Sequence, residues 1–348
     1  MWIADNWKDY EIIDCAGGEK LERWGDYILL RPDPQVLWNT PKKNPFWRKL
    51  NGHYHRSSKG GGEWEFMNLP EQWSINYREL TFNLKPFAFK HTGLFPEQAV
   101  NWDWFSNIIK KANRPVKVLN LFAYTGGATL AAAKAGASVT HVDASKGMVS
   151  WAKENAVSSG LGDAPIRWLV DDCVKFVERE IRRGNKYDGI IMDPPSYGRG
   201  PKGEIWKLEE KIHPFIELTS QLLSEDALFF LVNSYTTGFS KTVLENVLKT
   251  TLLKKYKNGR VECDEIGLPI ENSDIVLVDS AFDRVYETFA IARKMRTTSI
   301  INLIISIIMK LIIIIAAFTL MNLPLWLTLV YEAIVVVIVM HNATHIIE

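Results

Sequence analysis

The chain has 348 residues, with 41 Lys and Arg against 40 Asp and Glu for a net charge of +1, which excludes a globally basic polyanion binder; any nucleic-acid contact has to be a local patch. With 47% hydrophobic and 23% charged residues, the make-up is that of a folded protein long enough for two domains, or for one large domain with an addition. Cys15, Cys173 and Cys263 are too scattered for a metal-ligand set, which fits a reduced, cytosolic interior without a metal, and Met1–Tyr10 carries no apolar core of a secretory signal.

Residues 1–85 read as short strands and loops, with strand-like runs at Tyr27–Leu30 and Ser74–Leu84 and a flexible turn at Lys59-Gly60-Gly61-Gly62. Tryptophan is dense here: Trp2, Trp7, Trp24, Trp38, Trp47, Trp64 and Trp73. Such rings can stack single-stranded nucleic acid beside Arg48, Lys49, His53, His55 and Arg56, or fill a small β core; the area they bury favours the core. The segment KPFAFKHTGLFPEQAVNWDW (85–104) follows, punctuated by Gly93 and Pro96, with polar Glu97 and Gln98 beside Phe95. It is either a flap over a ligand mouth or a plain connection into a helix at Trp102–Lys111.

An apolar run, Val116–Phe122, then meets the turn Ala123-Tyr124-Thr125-Gly126-Gly127, a small-residue helix at Ala128–Ala135, a stop at Gly136, and a second β run, Ser138–Val142, ending on Asp143. Strand, glycine turn, helix, strand, acid is the first half of a nucleotide-binding βαβ unit. The glycines let backbone approach a ligand, the helix start offers unpaired N–H groups, and an acid at the strand tip can accept ribose hydroxyls. Strands at Ile166–Val170, Tyr187–Met192 and Ala227–Asn233 alternate with helices at Lys146–Ser159, Cys173–Arg183, Leu208–Leu223 and Lys241–Thr250. That alternation predicts a parallel sheet covered on both faces, with ligand beyond the carboxyl ends of its strands. Asp143, Asp171, Asp172 and Asp193 all stand at such ends.

Asp193-Pro194-Pro195-Ser196-Tyr197 closes the fourth long strand. Two prolines fix φ and remove two N–H donors, so the turn is stiff and presents carbonyls, a carboxylate and an aromatic face. Arg199–Lys211 is either a substrate loop with Arg199 and Lys202 on phosphates or a solvated connector. After Arg296 charges become scarce. Ser299–Met321 and Leu323–Met340 are apolar runs of membrane-spanning length, joined at Asn322-Leu323-Pro324, with Arg293, Lys294 and Arg296 before the first. Lys310 falls mid-span, at a cost of roughly 2.5–3.5 kcal/mol unless it pairs or snorkels.

The run Asn120–Gly127 (NLFAYTGG), the pair Val142-Asp143 and the DPPSY turn resemble the class I S-adenosylmethionine-dependent methyltransferases, and more narrowly the bacterial ribosomal-RNA and related enzymes. Lys90–Gln98 is similar to that group's cofactor-covering segment, and the likeness runs from about Lys85 to Pro269. It implies an α/β, Rossmann-like and mostly parallel sheet of about seven strands over 86–273, with a small β-rich substrate-side domain at 1–85. A tail at 274–348 would carry a hydrophobic helical hairpin (299–321 and 323–340). It implies S-adenosylmethionine as cofactor, with Tyr124, Thr125 and Gly126 along the methionine part and Phe95, Gln98, Phe122 and Gly127 around it. Asp143 and Ala144 would take the ribose, and Asp171, Asp172 and Cys173 the adenine side. Asp193, Pro194, Pro195 and Tyr197 would border the reacting centre. The implied chemistry is in-line methyl transfer, in which alignment supplies up to about 7–11 kcal/mol.

RNA, ribosomal RNA foremost, is the expected substrate. Methylation of cytosine carbon-5 needs a thiolate nucleophile, and Val232–Thr237, where related enzymes carry it, has no Cys; nitrogen is therefore favoured, although Ser196 departs from the acid-Pro-Pro-aromatic pattern of amino methylation. From Asp274 onward the tail resembles the C-terminus of heavy-metal P-type ATPases, without their DKTG motif. A membrane-anchored enzyme and a fused reading frame compete, the fusion being favoured because the last strand of the family looks truncated at the joint. Two other readings stay open: a nicotinamide-dependent oxidoreductase on a doubly wound sheet, for which only Gly126-Gly127 of a G-x-G-x-x-G is present, and a membrane hairpin carrying a non-catalytic domain.

Overall fold

The computed structural model describes residues 1–57, 61–87, 90–199, 205–236, 239–271, 273–278, 300–313, 315–316, 331 and 335–336. Met1–Ala281 form one unit and Phe282–Glu348 a second. The first begins with β1 (Trp2–Ile3), β2 (Tyr10–Ala16), β3 (Glu19–Trp24), β4 (Tyr27–Pro32), β5 (Gly52–Arg56) and β6 (Gly62–Phe66). Strands β2 to β6 make one sheet in sequence order, antiparallel except for the parallel β4–β5 pair. Gly17 and Gly18, both at positive φ, turn the chain between β2 and β3.

This sheet buries charge as well as hydrocarbon. Glu22 is fully buried and accepts from Arg31 Nε at 2.6 Å, Arg31 Nη2 at 2.7 Å and the Tyr10 hydroxyl at 2.8 Å. Trp24 and Trp73 are buried with Tyr10 and Ile75, and Trp7 packs against the same core. These rings are therefore filling, not a stacking surface. Ser74–Leu84, read as one strand-like stretch, is a hairpin of β7 (Trp73–Tyr77) and β8 (Leu80–Leu84), turned at Arg78 with φ +54°.

A short turn of 3₁₀ helix, Pro96–Gln98, leads into α1 (Ala99–Lys111), β9 (Lys117–Leu121), α2 (Gly127–Lys134), β10 (Ser138–Asp143), α3 (Lys146–Ser158), β11 (Ile166–Val170), α4 (Cys173–Arg182) and β12 (Gly189–Met192). Next come β13 (Tyr197–Arg199), β14 (Ile205–Lys207), α5 (Leu208–Ser220), β15 (Phe229–Val232), α6 (Lys241–Thr251), β16 (Ile266–Pro269) and β17 (Val276–Val278). The expected parallel sheet is present in the order β11-β10-β9-β12-β15. It has five strands among the described residues, not seven. β16 and β17 pair antiparallel with each other, and β1 joins β16 in a separate sheet. The outer edge of β15 instead borders a cavity of about 1050 Å³, lined by Trp104, Phe229, Leu231, Phe239, Leu248 and Val278. None of the four strand-end aspartates lines it.

Asp188 sets where β12 begins. Its carboxylate accepts from Lys117 N, Arg114 Nη1 and the Ser224 hydroxyl, each within 3.0 Å, and the next residue, Gly189, leaves room for the Phe229 ring, which lies 2.4 Å from where a Cβ would stand. In the second unit residues 300–313 are helical. No helix among the described residues is long and apolar enough to cross a membrane. The expected spans 299–321 and 323–340, and with them the likeness to a pump terminus, are not supported; much of both runs lies outside the described residues.

Candidate active site

The carboxyl ends of the parallel strands bring the sequence motifs to one edge. Asp143 pairs in register with Val170, and Leu121 lies between Val142 and Met192. Backbone bonds continue past the strands: Ala123 N to Val142 O at 3.1 Å, and Asp171 N to Asp143 O at 3.0 Å. Asp171, Asp143, the glycine turn and Asp193 thus stand along one rim.

The glycine turn is held in an unusual backbone shape. Phe122 and Tyr124 have φ of +55° and +49°, a conformation that non-glycine residues adopt only when their surroundings enforce it. Asp143 does much of the enforcing, since its Oδ2 accepts the Tyr124 N–H at 2.9 Å and its Oδ1 the Ser145 N–H at 2.8 Å. Burial raises the Asp143 carboxyl above the usual range, opposed by these two donors. Gly126 (φ +89°) caps α2, and a Cβ there would lie 2.9 Å from Ala152 Cβ; one at Gly127 would lie 2.7 Å from the Trp102 ring. The turn is wedged between α1 and α3, so only glycine fits.

The acids beyond β11 are already engaged locally. Asp172 is the N-cap of α4, accepting from Lys175 N at 2.9 Å, and Asp171 pairs with the Arg179 guanidinium. Cys173 is buried; its Sγ accepts from Phe122 N at 3.4 Å, and burial pushes its thiol pKa far up. Such a thiol is no nucleophile. Ala144 is exposed beside Asp143.

Across the rim, burial pushes the Asp193 carboxyl up to about 7, and nothing among the described residues donates to it. Pro194 is buried and Pro195 exposed. The Pro195 carbonyl accepts from Trp206 Nε1 at 2.7 Å, so β14 stiffens the turn from outside. Ser196, the residue out of pattern, accepts from the Thr236 hydroxyl at 2.7 Å and ties the turn to the segment after β15. Tyr197 opens the β13–β14 hairpin with its ring half in solvent.

Segment 90–98 reaches this rim as the flap reading requires. Thr125 Oγ1 donates to Gly93 O at 2.6 Å, and the Phe95 ring lies 5.4 Å from that of Tyr124 and 5.7 Å from that of Tyr235. Sequence reasoning missed the polar knot behind it. The Tyr235 hydroxyl donates to buried Glu97 at 2.7 Å and bonds Gln98, while Asn101 and Asn233 each donate to Gln98 Oε1 at 3.0 Å. The one signal available was Asn233-Ser234-Tyr235 at a strand end, where a polar run after an apolar strand marks a ligand rim. The Tyr124 hydroxyl is buried with no partner among the described residues.

A five-stranded parallel sheet with a glycine turn after its central strand, an acid after the next and a proline-stiffened acid on the other side defines the Rossmann-like methyltransferase class. Residues 44–247 match the model of the S-adenosylmethionine-dependent methyltransferase family. The chain belongs to that family, and S-adenosylmethionine is its cofactor; the nicotinamide reading is overturned. It is similar to the S-adenosylmethionine-dependent methyltransferase of Agrobacterium tumefaciens, with 38% identity and a TM-score of 0.75 over 80% of this chain and 90% of that one. It is also similar to ribosomal RNA large subunit methyltransferase K/L. Identity is 27% to the Colwellia psychrerythraea protein over 52% of this chain and 28% to that of Methylococcus capsulatus over 60%. The chain spans only 23% and 27% of those two relatives' lengths.

Proposed function

We propose that this methyltransferase acts on RNA, ribosomal RNA foremost, at a nitrogen rather than at cytosine carbon-5, and does so in the cytoplasm. The observation that carries the nitrogen assignment is the stiff Asp193-Pro194-Pro195 turn, with a half-buried acid and no cysteine beside it. Val232-Asn233-Ser234-Tyr235-Thr236 faces the same rim without a thiol, and Cys173 is buried with its thiol pushed up. What supports RNA is the naming of the large-subunit methyltransferases, of which this chain matches a part.

The residues fit the cofactor. Asp193 is half-buried, with a carboxyl that has no cation partner among the described residues, chemistry that suits a sulfonium, and the Tyr124 hydroxyl has no partner among the described residues. When bound, S-adenosylmethionine supplies an electrophilic methyl on a sulfonium that leaves as a neutral thioether. In this reading Tyr124, Thr125, Gly126 and Gly127 line the methionine part, with Phe95, Gln98 and Phe122 closing over it. Asp143 accepts from the ribose, since each carboxylate oxygen keeps a lone pair beyond its backbone donor, and Ala144 borders it. Asp171, Asp172 and Cys173 contribute mainly backbone on the adenine side, because both acids hold local partners. The Pro194 carbonyl orients a substrate amine, and Asp193 takes the proton that this nitrogen sheds. Tyr197 stacks on the target base. Residues 1–85 form the substrate side and 86–273 the catalytic domain.

Incubating the full chain with ribosomal RNA and isotopically labelled S-adenosylmethionine, then digesting to nucleosides for mass spectrometry, tests this. Label on an N-methylated nucleoside is expected. Label on 5-methylcytidine would overturn the nitrogen assignment, and label only on protein would overturn RNA.

A further inference from the structure

Away from the methyltransferase rim, one group of side chains has the composition of a metal site. His53 and His55 lie two residues apart on β5 and so project from one face; their rings are 3.8 Å apart. On the antiparallel partner β6, Glu65 stands directly opposite His53. The ligating atoms of His53, His55 and Glu65 all fall within 4.8 Å of one another. A fourth group comes from β3, where Glu19 Oε1 is 3.1 Å from His53 Nε2; its other oxygen holds Lys42 Nζ at 2.6 Å. His55 Nε2 lies 2.7 Å from Glu65 Oε2.

Two imidazoles with two carboxylates suit a borderline divalent ion, whereas calcium and magnesium prefer all-oxygen sets. Tetrahedral zinc with bonds of about 2.0–2.1 Å needs ligand atoms about 3.4 Å apart. The ligating atoms of His53, His55 and Glu65 are within about 1.5 Å of that spacing, and Glu19 reaches the group through His53. We propose that His53, His55 and Glu65, completed by Glu19, bind a zinc-class divalent cation that pins the β5–β6 hairpin to β3.

The test titrates the full chain with zinc chloride by calorimetry, under a non-thiol reductant, and follows cobalt(II) by visible absorption. One ion per chain and a tetrahedral cobalt spectrum without thiolate charge transfer are expected. His53→Ala and His55→Ala should each abolish that isotherm, and Glu65→Gln should weaken it. The double variant His341→Ala/His345→Ala, which removes the tail histidines, should leave it intact. S-adenosylmethionine binding by each variant checks folding, and the exposed His55 is the replacement least able to disturb it. Absence of a stoichiometric ion, retention in folded His55→Ala, or loss in the tail variant would overturn the proposal.

Discussion

Asp143 grips the glycine turn that it faces, through the 2.9 Å bond from the Tyr124 N–H to its Oδ2. The donor belongs to a residue at φ +49°, so the acid that is proposed to receive the ribose also holds the loop in shape. Asp143→Ala should remove both effects. Charge-assisted bonds contribute about 1.5–3 kcal/mol each, so S-adenosylmethionine affinity should fall roughly 100-fold or more, with a lower melting temperature. Asp143→Asn keeps one acceptor for Tyr124 and should recover most of the melting temperature but only part of the affinity. Calorimetric titration of both variants checks this; wild-type affinity in Asp143→Ala would show that the ribose lies elsewhere.

The half-buried carboxyl of Asp193, pushed up to about 7, should couple cofactor binding to protons. A sulfonium beside it favours the carboxylate. Binding S-adenosylmethionine near pH 7 should therefore release part of a proton, and affinity should rise with pH until the free carboxyl is ionised. The neutral thioether product should release much less. Calorimetry in buffers of different ionisation enthalpy reads the difference directly. Equal proton release with both ligands, or the same release from Asp193→Asn, would separate Asp193 from the sulfonium.

The backbone shape of the candidate edge was legible in the sequence because geometry dictates its residue types. Gly126 and Gly127 touch Ala152 and Trp102 at distances that no side chain tolerates, and two prolines end β12 by chemistry alone. The regular alternation of apolar runs gave the parallel sheet for a related reason: its inner strands β9, β10 and β12 are buried on both faces. The β-rich character of residues 1–85 and the strand at Tyr27–Leu30 were legible, but the other strands of the N-terminal sheet were not placed, because some inward positions carry charge. In β3, Lys20 and Glu22 are buried beside Leu21 and Trp24, so period-two hydrophobicity fails. The knot of Glu97, Gln98, Asn101, Asn233 and Tyr235 joins segments more than 130 residues apart, and no local pattern announces such a pairing. The β15 edge was missed for the opposite reason, since seven strands were expected from likeness and not from any residue.

His141 should make stability depend on pH. It is fully buried on β10, with Nδ1 2.9 Å from the Thr129 hydroxyl, which also accepts from Asn120. Burial lowers its pKa to about 3. Between about 3 and the unfolded value of about 6.5 only the unfolded chain binds this proton, so stability falls as pH drops through that window, toward about 1.4 kcal/mol per unit. Asp193 acts with the opposite sign between about 3.8 and 7, where only the folded state is protonated, so its contribution is lost as pH rises. Denaturant unfolding from pH 7.5 to 5 should thus be flatter in the wild type than in Asp193→Asn, and adding His141→Val should remove the slope that Asp193→Asn exposes. An unchanged slope in the double variant would mean that another group carries it.

Glu22 anchors the charges inside the N-terminal sheet, and its loss should be costly beyond its own contacts. It is fully buried, and Arg31, which it holds by two nitrogens, also donates from Nη1 to Lys90 O at 2.9 Å, on the segment proposed to cover the cofactor. Glu22→Gln keeps a similar volume but leaves the Arg31 guanidinium and Lys20 without their shared anion. Breaking a buried pair on one side costs about 3–5 kcal/mol, because the remaining charge stays desolvated. The double replacement Glu22→Gln/Arg31→Met should recover part of that loss, since it removes the stranded cation. Arg31 and Lys20 hold the Glu22 carboxyl below its usual range against the opposing effect of burial, so this stability is present above the unfolded carboxyl pKa and disappears as pH falls through the folded one. Denaturant unfolding at neutral pH measures both variants. If the single variant loses less than about 1 kcal/mol, the range of an exposed ion pair, then water reaches Arg31 and the sheet is not organised around a dry charge pair. If stability falls as expected, cofactor affinity in the same variant should fall with it, because Lys90 O loses a donor fixed in place by Glu22.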